Sequence, residues 1–263
     1  MKRNFIVFLT IAAITAGLVG CNSKKCQPTE YKATVETLGG TDAPMAMDAT
    51  GRLATWEDAL VLTDASITGV DEKGVYTIVR NDTTAPSGVV RMVYPYDAAT
   101  DAEHVTIGTK QIDAPIGSKM VLYGETVDGK GNNIDMKAVC GVVKMHIITP
   151  EMLDNIVIRT EDSNRYMSGV FAVSNYPFPV LNATEQSARE VMLTGTATID
   201  FKKGADVCFY VAPGCYGTFT VVMTTVDGRV CTKNLKEGKE VVVDRNRVCN
   251  IQMGVDGSEL VFE

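Results

Sequence analysis

This chain has little of what catalysis draws on. It holds two histidines, His104 and His146, in 263 residues, and they stand far apart. An imidazole alone in a strand-like run, as His146 is, reads as structural rather than catalytic. Zincin, nucleophile-elbow and serine–lysine patterns are missing. No catalytic residue, metal ligand set or cofactor is therefore assigned, and the chain reads as no enzyme. Asp71-Glu72-Lys73-Gly74 and the stretch from Asp128 to Asn133 look superficially like calcium loops, but they lack the ligand order and read as turns. Aromatic residues are scarce at 7%, with a single tryptophan, so a sugar platform of exposed rings is not indicated; Trp56 reads as core. Positive charge is also short. Lys and Arg number 25 against 32 Asp and Glu, a formal net charge of −7. That excludes the basic face nucleic acid requires and a polybasic patch for anionic lipid. Past the first residues, no apolar run is long enough to span a bilayer.

What is present begins at the N-terminus. Lys2 and Arg3 precede an apolar run from Phe5 to Ala16, followed by Leu18-Val19-Gly20-Cys21. This is the pattern of a bacterial lipoprotein leader, with small residues ahead of an obligatory cysteine. Residues 1–20 are expected to be removed and Cys21 to take the lipid, with diacylglycerol on its thiol and palmitate as the expected acyl group. The mature chain would then lie outside the cytoplasm, held to a membrane by its acyl chains. Of seven cysteines, Cys26, Cys140, Cys208, Cys215, Cys231 and Cys249 remain, without a C-x-x-C among them. Cys208, Cys231 and Cys249 fall in strand-like runs and read as core thiols, although an oxidising compartment also permits disulfides.

The rest reads as strands: Tyr31–Thr37, Gly74–Val79, Gly88–Tyr94, Lys119–Tyr123, Ala138–Ile148, Asn155–Arg159, Ala205–Val211, Thr218–Val226, Glu240–Val243 and Val248–Gly254. Asp227-Gly228, between two such runs, reads as a hairpin turn. Only Pro150–Asn155 and Thr184–Arg189 have a helical look, each about one turn. Short strands and turns over this length predict an all-β fold of two β-sandwich domains in tandem, residues 53–149 and 150–263, behind a lipidated segment, 21–52. Within that segment, Thr41 to Arg52 looks loose, exposed and easily cut.

Several short segments recur in a telling order. They are Leu18–Cys21, the strand Tyr31–Thr37, Arg52, Trp56-Glu57-Asp58, Val93-Tyr94-Pro95, the strand Ala138–Met145, Ile156-Val157-Ile158 with Met167-Ser168-Gly169, Tyr210-Val211-Ala212-Pro213-Gly214-Cys215-Tyr216, and Asp227-Gly228. Together they cover nearly the whole mature chain, and the chain resembles the fimbrillin family, the pilins and pilus-associated lipoproteins of Bacteroidales. The resemblance implies two transthyretin-like sandwiches and maturation by a cut after an arginine, here between Arg52 and Leu53. The first strand would leave with the cut segment and another subunit's strand would replace it. Other pilin subunits are then the expected partners and the outer membrane the expected location. Two alternatives stay open: a pilus anchor or accessory subunit, and a non-polymerising surface lipoprotein that binds a glycan or host protein.

Overall fold

The computed structural model describes residues 29–39, 45–57, 60–82, 88–126, 132–174, 177–234, 239–253 and 260. Its strands are β1 (Glu30–Val35), β2 (Arg52–Trp56), β3 (Thr63–Val70), β4 (Tyr76–Arg80), β5 (Arg91–Tyr94), β6 (His104–Ile107), β7 (Lys110–Ile112), β8 (Leu122–Glu125), β9 (Asn133–Ala138) and β10 (Gly141–Ile147). There follow β11 (Leu153–Thr160), β12 (Ser168–Ser174), β13 (Val180–Ala188), β14 (Glu190–Thr194), β15 (Ala205–Val211), β16 (Gly214–Tyr216), β17 (Phe219–Thr225), β18 (Val230–Asn234), β19 (Val241–Val243) and β20 (Val248–Met253). The fold is all-β, and the described residues contain no α-helix. Thr184 to Ala188, expected as a helical turn, belongs to β13. There the Thr184 and Ser187 hydroxyls both donate to the Val170 carbonyl, tying the chain to β12. The predicted hairpin at Asp227-Gly228 joins β17 to β18, and Gly228 takes a φ of +88° in the turn.

The first half is a closed ring of seven strands in the order β1-β4-β3-β2-β5-β8-β9. This differs from the open pair of sheets expected. The ring closes because β1 lies antiparallel to β4 on one side and parallel to β9 on the other. Period-two alternation sends Tyr31 and Ala33 inward, alongside Leu53, Trp56, Ile78, Met92, Ile134 and Met136. Trp56 packs against Tyr123 with ring centroids 6.2 Å apart.

The second half is a sandwich. The sheet β15-β10-β20 covers the sheet β18-β17-β11-β14-β7, and Val143, Ile156, Leu193, Phe209 and Met223 are among the side chains between them. A three-stranded sheet, β13-β12-β6, lies to one side. The boundary drawn at residues 149 and 150 does not coincide with a break between the cores. β10, which precedes it, pairs along its whole length with β15 and from Val142 to Ile147 with β20. Likewise β6 and β7 pair with β12 and β14. Alternation explains how β10 serves both halves: Val142 faces the first core, while Val143, Met145 and Ile147 face the second.

Cys140 and Cys208 are buried free thiols, Cys231 is buried, and Cys215 and Cys249 are free and partly exposed. Cys26 lies outside the described residues.

Candidate functional site

The feature that stands apart is β1 and the chain that leads from it to Arg52. β1 is the strand most loosely joined to the ring through the sequence. Its partners in β4 and β9 lie far along the chain, and the covalent path to β2 runs through residues 36–51. The hold on β1 is therefore made of hydrogen bonds and packing. Its first half pairs with β4, from Glu30 opposite Val79 to Ala33 opposite Tyr76. Its second half pairs with β9, from Lys32 beside Asn133 to Val35 beside Met136. The Lys32 N–H donates to the Asn132 carbonyl at 2.9 Å, and the Glu36 N–H to the Met136 carbonyl at 3.1 Å. On the outer face, Lys32 Nζ reaches Thr77 Oγ1 at 2.8 Å and Glu30 at 2.7 Å.

On the inner face, Tyr31 is fully buried and its ring end faces Arg80, which is only 4% exposed. Arg80 is ion-paired to both Glu57 and Asp82. Burial opposes the Arg80 charge, but Glu57, Tyr31 and Asp82 outweigh it and hold the guanidinium above its ordinary value. Burial likewise pushes the Tyr31 phenol up, against the pull of Arg80. The Tyr31 hydroxyl and Arg80 Nε make no well-formed hydrogen bond of their own, so the phenol and the charged cluster are packed together without being fully satisfied.

The described part of the segment read as loose, residues 45–52, is strapped down. Met45 and Met47 are 5% and 4% exposed and belong to the first core. The Met47 N–H donates to the Tyr76 hydroxyl at 3.2 Å, and the Asp48 N–H to the Tyr94 hydroxyl at 2.8 Å. Asp48 then caps a tight turn. Its carboxylate accepts the Thr50 N–H and hydroxyl, each at 2.9 Å, and its carbonyl accepts the Gly51 N–H at 2.8 Å. Glycine suits position 51 because a Cβ there would come within 2.8 Å of the Tyr94 ring.

Arg52 opens β2 rather than ending a loop. It pairs across to Ser66, and Leu53 pairs to Ala65. The Arg52 side chain is exposed, ion-paired to Asp64 and laid over the Tyr96 ring at 4.5 Å. Leu53 is fully buried. The Arg52–Leu53 bond thus has an exposed side chain on one side and a buried core side chain on the other. Cys21, with its lipobox, and Asp58 lie outside the described residues. His104 contacts Asp101 and His146 contacts Asp206, each at 2.7 Å, at separate places. The Asp71 carboxylate accepts the Lys73 and Val75 N–H groups at 2.9 Å, which is turn chemistry.

Sequence reading missed one part of this site. Glu36 and Thr37, just past β1, are held by Arg245 and Asn246, 209 positions later. No local pattern marks so distant a contact. β9 was not among the expected strands, although Ile134, Met136 and Ala138 alternate there with polar residues, the signal that could have found it.

No family model and no curated protein matches the sequence. Several of its neighbours among solved structures are fimbrial proteins. The chain is similar to a fimbrial assembly protein from Parabacteroides distasonis, at 8% identity over 90% of this chain and 99% of that one, with a TM-score of 0.42. It is similar to the fimbrial anchor protein Mfa2 from Porphyromonas gingivalis, at 10% identity over 80% and 83%, with a TM-score of 0.38. A fimbrial protein from Bacteroides ovatus aligns at 11% identity and a TM-score of 0.38 over 86% of this chain, which spans about half the length of that protein (49%). With identities and scores this low, what the chain does has to be argued from the slot that β1 fills.

Proposed function

We propose that this chain is a fimbrillin-like, pilus-associated subunit that works by strand exchange rather than by catalysis. The observation that carries the reading is that β1 closes the ring from both sides while belonging to the segment that a cut at Arg52–Leu53 would free. Its departure would leave open edges on β4 and β9 and an apolar slot between them. Main-chain pairing and alternate side chains let such an edge accept an extended segment from another subunit, and an edge left unfilled is a liability. In this reading β1 is a temporary occupant, Cys21 carries the lipid that holds the uncut precursor to the outer membrane and departs with the cut segment, and other pilin subunits are the partners.

Cutting alone would not empty the slot. Leu38, Met45 and Met47 leave the first core with the segment, and burial of each contributes roughly 1.5–3 kcal/mol. The cut segment stays bound until a competitor replaces it.

The test is limited digestion of residues 22–263 with an arginine-specific protease. An early cut giving Leu53 as the new N-terminus, followed by ladders of oligomers, is the expected result. A chain that resists cutting there, or is cut and keeps its own segment and stays monomeric even when a competing strand is offered in excess, overturns exchange. That outcome favours the second reading, an anchor, accessory or plain binding lipoprotein, which the strapped state of residues 45–51 supports. Lipidation is tested separately: Cys21→Ala should abolish acyl labelling, and labelling that persists sinks the lipid assignment.

A further inference from the structure

A loop of the second half grips the chain just past β1. Arg245 is ion-paired to Glu36, and its Nη1 also donates to the Ala138 carbonyl at 2.9 Å. Glu36 in turn accepts the Ala138 N–H at 2.6 Å. Asn246 donates from Nδ2 to the Thr37 carbonyl at 2.9 Å, and its own carbonyl accepts the Gly39 N–H at 2.9 Å. The loop is held in turn: the Asn246 N–H donates to the Cys140 carbonyl and the Val142 N–H to the Arg247 carbonyl, each at 2.9 Å. Asn246 takes a left-handed φ of 58°, a conformation asparagine tolerates better than most residues. The bonds from Asn246 go to main chain and are blind to sequence. The bond from Arg245 goes to a side chain and is not.

Resting on the strand-exchange reading above, we propose that Arg245 reads the register of whatever strand fills the β1 slot. It selects an extended segment with a carboxylate at the Glu36 position, immediately after inward positions held here by Tyr31, Ala33 and Val35. Apolar alternation rejects a slip of one residue, because that turns every side chain to the other face. It does not reject a slip of two, which restores the pattern. A two-residue slip carries the acid away from Arg245. The Arg245 and Glu36 side chains are only 22% and 14% exposed, so a slip leaves a largely buried charge unpaired, and that is strongly unfavourable. The pair thus supplies the discrimination that the apolar face lacks.

The test uses the Arg52-cut chain and two dye-labelled peptides, residues 29–40 with Glu36 and the same peptide with Glu36→Gln. The native peptide should bind about tenfold more tightly, the size expected for one charge-assisted pair. In a cut Arg245→Gln chain the two peptides should bind alike. Equal binding to the native chain overturns the proposal, and so does a preference that survives Arg245→Gln. Should that variant fail to fold, the comparison on the native chain still decides. A cut chain that admits neither peptide overturns strand exchange itself, whereas one that admits both alike overturns the role of Arg245 alone.

Discussion

At the scale of single residues, the stretch from Asp48 to Leu53 sets how tightly the bond of the proposed cut is held. The Asp48 carboxyl is held below its ordinary value by the Thr50 N–H and hydroxyl, which bond its charged form. A carboxyl lowered on folding lends stability that is fully present above its unfolded pKa, ~4, and that is lost as pH falls through the folded value. The turn should therefore loosen as the medium is acidified below that value, seen as faster amide exchange at Gly51. At neutral pH, Asp48→Ala should make the cut after Arg52 several-fold faster, scored by gel; an unchanged rate would show that the turn does not guard the bond. The cysteines give a second expectation. Burial pushes the Cys140 thiol up to about 11, and burial with Asp113 does the same at Cys208. Cys231 is buried, whereas Cys215 is partly exposed and donates to Glu240 at 2.8 Å. Iodoacetamide at pH 8 should label Cys215 ahead of Cys140, Cys208 and Cys231 in the folded protein, read by peptide mass mapping; early labelling of Cys140 would contradict the core described here.

At the scale of elements, what the sequence could reveal depended on alternation. β15 occupies the run expected for it, Ala205–Val211, and the β17–β18 hairpin announces itself through Asp227-Gly228. β2 did not announce itself. Its residues Leu53, Ala54, Thr55 and Trp56 are all buried, so both faces are covered and no period-two pattern is left to read. That is why Arg52, which opens this covered strand, reads from the sequence as the end of a loose stretch. The surface that holds Glu36 was illegible for a different reason: pairing across such a distance leaves no local trace. β12 carries one more element-scale expectation. Gly169 has a φ of +90° beside a register shift against β13, and a Cβ there would lie 2.3 Å from the Gln186 carbonyl oxygen. Gly169→Ala should cost about 1–3 kcal/mol in urea unfolding, through strain at a conformation other residues avoid. A variant as stable as the parent would mean that the bulge relaxes freely.

At the scale of the whole molecule, the two cores are bound to a common strand. β10 gives Val142 to one and Val143, Met145 and Ile147 to the other, and β6 and β7 cross from the first half to pair with the second. The halves should therefore unfold together. Trp56, the chain's single tryptophan, sits in the first core, so its fluorescence reports that core alone, while far-ultraviolet circular dichroism reports both. The two probes should give coincident urea midpoints. Separate midpoints would show two independent domains.

The slot of β1 also has a direction. Its occupant runs parallel to β9 and antiparallel to β4, so a segment entering backwards would meet the wrong ladder on both sides. If another subunit's strand fills the slot, as proposed above, these two ladders fix the direction in which it enters. Under the proposed exchange, a donor strand that is not itself part of the slot makes a heterologous contact, which closes into a ring or, where the rotation does not close, runs on as an open filament whose two ends differ.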